Sequence, residues 1–364
     1  YRLYPSEEQN VLLNKTFGCV RFVYNYYLAF KIEIYETEKK SLSKTDCNNH
    51  LNQILKTDED YLWLKEVDKF ALTNSIYNLD ASFQNFFREI MKGNKNQGFP
   101  KFKSKKDNHR SYKTNFTNNN IEVDFEKNRI KLPKLKWIKA KVHREFDGQI
   151  KSAAICQEPS GKYYVSILVD AIAEPLPETD KKVGIDLGLT NMITDSNGNK
   201  ISNPKTLYKY EKKLAREQRK LSRKKKGGSN YSKQRKKVAR MHEKISNVRK
   251  DFLHKQTFNI ITENQVIITE NLNVKDMVKN RNLSKAISDV SWHELTRQLE
   301  YKADWYGRTY HKVNAFFPSS QICNSCGCQN QQIKDLAIRY WTCPECNSHH
   351  DRDINASVNI LRQG

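Results

Sequence analysis

Two cysteine pairs near the end of the chain, Cys323-Asn324-Ser325-Cys326 and Cys343-Pro344-Glu345-Cys346, limit what it can fold into more than any other feature, with sixteen residues between them. Each pair turns two thiolates to one side of a tight knuckle, and two such knuckles at zinc-ribbon spacing place four thiolates around one tetrahedral Zn²⁺. Four thiolates leave no position for water, so the ion is structural. A redox role fits worse, because the two motifs are matched as a set. Cys328 is a spare, and His349 or His350 becomes a ligand only if one pair fails. The other three cysteines, Cys19, Cys47 and Cys156, are scattered singly. That is no disulfide framework of a secreted domain, and a reducing, cytoplasmic setting suits the chain better.

Charge narrows the partner. With 64 Lys and Arg against 41 Asp and Glu, the net charge of +23 calls for a polyanion: nucleic acid first, an acidic membrane surface second. No apolar run approaches the roughly eighteen residues of a membrane span. The longest, near 165–173, carries Ser166 and Asp170, so a membrane role is disfavoured. At 364 residues the chain exceeds what one core organises, and two or more domains are expected. It opens at Tyr1 without an initiator Met, which leaves a lost N-terminal signal open.

In chain order, residues 1–5 read as a strand. Ser6 is then a helix N-cap, with Gln9 at the capping-box position. Apolar residues follow at helical spacing: Phe17, Val20, Val23, Tyr27 and Phe30, then Leu51, Ile54 and Leu55, then Phe70, Leu72, Ile76, Leu79 and Phe83. A helical core takes most of these aromatics, with base stacking by a few as the lesser reading. The helix gives way over 91–98. Phe99-Pro100-Lys101-Phe102-Lys103 then sets aromatics among cations, either a backbone-tracking groove or a solvated loop. From 111 to 169 short strands with polar turns suggest a small β-barrel, and the helical region reads as an insertion in it. Pro175 and Pro177 mark a linker.

The segment 205–250 holds nineteen Lys and Arg against three acids, Glu211, Glu217 and Glu243. Leu207, Leu214 and Leu221 are spaced by seven, as are Val238, Ile245 and Phe252, and Gly227-Gly228-Ser229-Asn230 separates the two sets. The pattern predicts an antiparallel helical hairpin with a narrow apolar seam. So lopsided a charge favours phosphate contact over a merely soluble helix pair.

Three carboxylates complete the reading. Val183-Gly184-Ile185-Asp186-Leu187-Gly188 is an apolar strand delivering Asp186 to a glycine-marked bend, and Asp195-Ser196-Asn197-Gly198 a hairpin turn. Alone, Asp186 reads as a turn acid. Glu270 ends a second strand, Val266-Ile267-Ile268-Thr269, and Asp353 opens a last helix in His350-Asp351-Arg352-Asp353-Ile354-Asn355-Ala356. Each has an ordinary reading as a strand-end acid or helix cap. Together, 84 and 83 residues apart, they stand in the order in which an RNase H-like nuclease fold assembles a two-metal site. The glycines beside Asp186 then read as room for a nucleic-acid backbone.

With these residues in place the chain resembles, along essentially its whole length, the TnpB family of transposon-encoded RNA-guided DNA nucleases, relatives of the type V CRISPR effectors. The three acidic motifs carry the resemblance, as do Phe317-Pro318-Ser319-Ser320-Gln321, Gly18-Cys19-Val20-Arg21-Phe22-Val23-Tyr24-Asn25 and Gly98-Phe99-Pro100-Lys101-Phe102. It implies a multidomain α+β and α/β chain: a wedge β-barrel (1–10 and 100–178), an inserted helical recognition domain (11–99), a RuvC nuclease domain (179–315 and 350–364) and a zinc-bearing target-binding module (316–349). It also implies two Mg²⁺ ions, with Mn²⁺ as a substitute, bridged by Asp186 and flanked by Glu270 and Asp353. Three acids so close should raise at least one pKa without metal. The family pattern assigns the third role to Asp353, with Asp351 as the alternative.

The partners implied are a guide RNA from the same locus and double-stranded target DNA, in a monomeric complex with one RNA in the prokaryotic cytosol. The protein itself reads a short motif beside the target. Matching motifs carry that reading to Lys69 and Thr114, with weaker matches at Lys44, Asn48 and Thr73. Lys101, Lys103, Arg223, Lys224 and Arg235 are the further expected nucleic-acid contacts. Three other readings stay open here: an RNase H-fold ATPase, a guided repressor that does not cut, and a zinc-ribbon nucleic-acid binder.

Overall fold

In a computed structural model that describes residues 1–94, 98–107 and 109–364, β1 (Arg2–Tyr4) ends at Pro5 and Ser6 caps α1 (Glu7–Glu38). The capping box is complete, Ser6 Oγ accepting from the Gln9 amide and Gln9 Oε1 from the Ser6 amide at 3.0 Å. Gln9 also donates to the carbonyls of Leu135 and Trp137, tying the helix start to the sheet. After α2 (Lys44–His50) the chain makes a single π-helical segment at Leu51–Leu55, and Asp68 caps α3 (Lys69–Met91). Phe17, Val20, Val23, Tyr27 and Leu28 of α1 are buried in one core with Leu72, Ile76 and Leu79 of α3. Of the aromatics read as core, Phe17 and Tyr27 are buried, Phe30 and Phe83 pack half-buried against them, and Phe70 lies outside this core. The expected break over 91–98 includes 95–97, which lie outside the described residues.

Six more strands follow: β2 (Arg110–Asn115), β3 (Glu122–Asp124), β4 (Arg129–Leu132), β5 (Lys136–Lys141), β6 (Gln149–Gln157) and β7 (Tyr163–Asp170). The expected barrel takes the form of one seven-stranded sheet, in the order β2-β6-β7-β1-β5-β4-β3, with every pairing antiparallel. The chain leaves from the interior strand β1 and returns at the edge strand β2, so α1 to α3 are an excursion out of the sheet. Asn118 and Asn119 turn the chain with φ of 48° and 52°, a backbone that Asn tolerates. This sheet and its helices form one compact unit, Tyr1–Ile172, and the remainder, Ala173–Gly364, a second.

The second unit is built on β8 (Lys182–Asp186), β9 (Asn191–Asp195) and β10 (Lys200–Ser202). The predicted turn at 195–198 closes the β9–β10 hairpin, with Asp195 Oδ1 accepting the Asn197 and Asn199 amides at 2.9 and 2.8 Å. The basic segment forms α4 (Thr206–Ser222) and α5 (Ser229–Glu263), joined where Gly227 takes a φ of +88°. Leu214, Val238, Met241 and Ile245 close the hairpin seam, while Phe252 packs instead against the main core of this unit.

Then come β11 (Val266–Thr269), α6 (Val274–Met277), α7 (Ser284–Val290), α8 (Trp292–Trp305), β12 (Thr309–Lys312), β13 (Tyr340–Thr342), β14 (His349–Asp351) and α9 (Arg352–Gln363). The five-stranded sheet runs β10-β9-β8-β11-β12, the first three antiparallel and the last three, β8, β11 and β12, parallel. Its parallel centre is apolar, with Val183, Ile185 and Ile267 in a core that Leu295 and Leu299 of α8 complete. No helix among the described residues is long and apolar enough to cross a membrane.

Candidate active site and metal centre

Parallel pairing of β8 and β11 sets Ile185 opposite Thr269, so the next residues on each strand, Asp186 and Glu270, emerge side by side at the carboxyl ends of the sheet. Their carboxyl groups are in hydrogen-bond contact, and Glu270 Oε1 accepts the Leu187 backbone N–H at 2.6 Å. The third acid arrives on a helix. A Cβ on Gly184 would sit 2.2 Å from the Ser357 carbonyl oxygen and 2.6 Å from the Leu361 nitrogen, so the missing side chain lets α9 lie directly on β8. That approach brings Asp353, in the first turn of α9, into the field of the other two acids.

Electrostatics follows from the geometry. Burial, then the charges of Glu270 and Asp353, hold the Asp186 carboxyl well above the usual carboxylate range. Burial pushes Glu270 up to about 7, against the opposing pull of the Leu187 amide and Asp186. The expectation of a raised pKa among these acids is met by two of them. Among the described residues the three acids do not have ligand atoms all within 4.8 Å of one another, but Asp186 and Glu270 in contact, with Asp353 in their field, supply half-buried hard oxygen donors, the ligand chemistry of Mg²⁺.

Asp351 sits beside this group and does other work. It caps α9, accepting the amides of Asp353 and Ile354 at 3.1 Å each, and pairs with Lys200 at 2.6 Å. Arg339, by contrast, reaches Asp353 Oδ1 at 3.3 Å, a partner missed in the sequence because an arginine between two cysteine pairs carries no pattern of its own. A cleft at Glu270 is lined further by Asn271, Lys275, Trp292, His293 and Lys312. Gly188 is explained within the chain: a Cβ there would stand 2.5 Å from the Asn191 carbonyl, so the glycine serves the β8–β9 turn.

The four cysteines converge as their spacing required. The thiol sulfurs of Cys323, Cys326, Cys343 and Cys346 all lie within 4.8 Å of one another, and Cys328 is outside the set. The pairs Cys323–Cys346 and Cys326–Cys343 are 3.6 Å apart, close to the roughly 3.8 Å edge of a tetrahedron built on Zn–S bonds of about 2.3 Å. Both knuckles close alike. The residue after each pair, Gly327 or Asn347, takes a left-handed backbone, and its N–H returns to the carbonyl of the first cysteine, Cys323 or Cys343. His350 Nε2 lies 3.0 Å from Cys323 Sγ, as an outer-shell partner of the thiolate. The donor set fits a structural zinc ion.

The expected nucleic-acid residues separate into groups. Thr73 donates to Asn48 Oδ1 at 3.0 Å, and Lys44 lies over the Tyr77 ring one turn further on, so the three share one face of α2 and α3. Lys69 borders an open cavity with Lys56, Phe70 and Lys134. Thr114 is fully buried in β2, with its hydroxyl unpartnered, and cannot touch a polymer bound at this surface without rearrangement. Lys103 is held to Asn25 through its backbone and lies 4.0 Å from the Tyr24 ring centre, whereas Lys101 is exposed. Arg223 and Lys224 are exposed at the tip of the helical hairpin and Arg235 is half-buried on α5.

Comparison with known proteins places the chain in a family. Family models match residues 158–281 ("Probable transposase", the OrfB proteins of IS605 elements), 292–360 ("Cas12f1-like, TNB domain") and 1–40 ("Helix-turn-helix domain"). In the structure the last stretch is β1 followed by a single long helix. A Streptomyces pristinaespiralis protein named "Putative RNA-guided DNA endonuclease" is 37% identical over 367 residues, 100% of this chain and 88% of that protein. The InsQ protein of Escherichia coli K12, which carries the same description, is 31% identical over 380 residues, 100% and 91% of the two chains. Among solved structures, Cas12f1 in a complex with sgRNA and target DNA has the same fold, with a TM-score of 0.61 at 15% identity over 98% of this chain and 83% of that one. On these matches, and on motifs that run from the first strand to the last helix, the chain belongs to the TnpB family of IS605-type transposon proteins.

Proposed function

We propose that this protein is a guide-RNA-directed DNA endonuclease that hydrolyses a phosphodiester of its target next to a short adjacent motif. The observation that carries the reading is the contact of Asp186 and Glu270 at two parallel strand ends, with Asp353 brought into their field at one helix N-terminus. Asp186, Glu270 and Asp353 would together hold the Mg²⁺ ions. When bound, such ions supply a hydroxide nucleophile at neutral pH and charge stabilisation for the departing 3′ oxygen. The chain's own part is to hold three acids against their mutual repulsion, with the Leu187 amide fixing Glu270 and Arg339 steadying Asp353. Lys275, His293 and Lys312 offer cations beside Glu270 for a substrate phosphate.

Sequence choice would rest on base pairing by the RNA, and the face shared by Lys44, Asn48 and Thr73 would read the adjacent motif. The α4–α5 hairpin would hold phosphates with its excess of cations. The test is to purify the protein expressed with its native flanking DNA, sequence the RNA it carries, and assay cutting of a matched target with Mg²⁺. Asp186→Ala should lower cutting at least about a thousandfold, roughly 4 kcal/mol of transition-state stabilisation, while RNA and target binding stay near wild type. Loss of binding together with cutting would sink the assignment.

A further inference from the structure

A third group of metal-ligating side chains stands apart from the acids and the four cysteines, at one corner of the seven-stranded sheet. Cys156 is next to last in β6, Glu158 opens the turn into β7, and His109 precedes β2 on the neighbouring strand. The β2–β6 ladder pairs Ser111 with Cys156 and Arg110 with Gln157, which puts His109 level with Glu158. One ligand atom from each of the three lies within 4.8 Å of the other two.

Two of the three ligand-to-ligand distances are close to the edges of a coordination shell. His109 Nε2 is 3.5 Å from Glu158 Oε1, and Cys156 Sγ is 3.8 Å from the same oxygen. A tetrahedral zinc with bonds of about 2.0 Å to N and O and 2.3 Å to S has N···O and S···O edges of about 3.3 and 3.5 Å, so these two edges need contraction by only a few tenths of an ångström, and the third, from the His109 imidazole to Cys156 Sγ, is within 4.8 Å. The backbone around each ligand is already fixed. The Glu158 amide donates to the Lys162 carbonyl at 2.9 Å, the Gly161 amide to the Glu158 carbonyl at 2.8 Å, and the His109 amide to Asp107 Oδ1 at 3.0 Å.

We propose that His109, Cys156 and Glu158 bind one Zn²⁺ ion, with water as the fourth ligand. A thiolate and a carboxylate neutralise the dication, and the imidazole adds a neutral donor. The ion's structural effect is to staple the chain at the entry to β2 onto the β6–β7 corner, next to a cavity lined by Arg21, Lys103 and Arg110. With one thiolate and an open position, it exchanges its metal more readily than the four-cysteine centre.

The test counts zinc. The full chain is equilibrated with excess zinc chloride, desalted, and its metal measured by mass spectrometry. Two ions per chain are expected for the wild type, and one each for Cys156→Ser and His109→Ala, the latter changing an exposed residue that the fold does not need. A colorimetric chelator should draw zinc from the wild type in a fast and a slow phase, with the fast phase missing in Cys156→Ser. One ion per wild-type chain, two in either variant, or a single release phase would overturn the assignment.

Discussion

The carboxylate of Asp351 accepts the backbone N–H of Asp353 at 3.1 Å, so two acids two residues apart have different partners. Asp351 is a helix cap paired with Lys200, while Asp353 faces Arg339 and the other two acids. Asp351→Ala should therefore cost about 1–2 kcal/mol of stability, as cap losses do, and leave cutting within tenfold of wild type. Asp353→Asn should abolish cutting with little change in melting temperature. The reverse pattern would transfer the third role to Asp351.

The pH response of the Mg²⁺-free protein has a definite sign. Asp186 and Glu270 have carboxyl pKa values raised by folding, so between the ordinary carboxylate range and about pH 7 the folded state binds more protons than the unfolded one. Stability contributed by the protonated acids is present at low pH and is lost as the pH rises through that window. Melting curves from about pH 5 to about pH 7.5 should show this fall once other titrations are subtracted by comparison with Asp186→Asn. Added Mg²⁺ should offset it in the wild type and not in the variant. Identical slopes for the two proteins would contradict the placement of these acids.

Gly184→Ala tests the approach of helix to strand. The new methyl would meet backbone atoms of Ser357 and Leu361 at 2.2 and 2.6 Å, which no rotamer change relieves. Displacing α9 should cost about 3 kcal/mol or more and carry Asp353 away from Asp186. Denaturant midpoint and cutting should fall together, and a variant of wild-type stability would show that α9 does not pack there.

Cys343→Ser removes one thiolate from the centre of a small core formed with Cys323, Ile333 and Trp341. Zinc content should drop by one ion per chain and target engagement should weaken. Unchanged zinc would argue against ligation by all four cysteines.

How much of this was legible in the sequence depends on whether a local pattern existed. The Ser6–Gln9 box, the seven-residue spacing of the basic hairpin and the two knuckles are short-range signals, and each reappears in space. The acids could be placed on strand ends and a helix start, but their meeting depends on pairings across more than eighty residues that only the sheet order supplies. Strands β2 and β6 escaped individual notice because Arg110-Ser111-Tyr112-Lys113-Thr114-Asn115 and Ser152-Ala153-Ala154 lack alternating large apolar side chains. The glycines near Asp186 suggested room for a substrate, whereas Gly184 and Gly188 make room for α9 and for Asn191. Thr114 shows the converse limit, since a matching motif does not reveal that the side chain faces inward.

The amides of Asn355 and Asn359 both donate to the Ile322 carbonyl, at 2.7 and 2.6 Å, and Asn359 also holds the Ser319 carbonyl at 2.9 Å. These grips lie on the same helix as Asp353, within six residues or about 9 Å along the axis. A displacement of the loop leading into the first knuckle is thus passed to the helix that carries Asp353 through a short arm. Movement of the cysteine module would therefore reach Asp353 through these three hydrogen bonds.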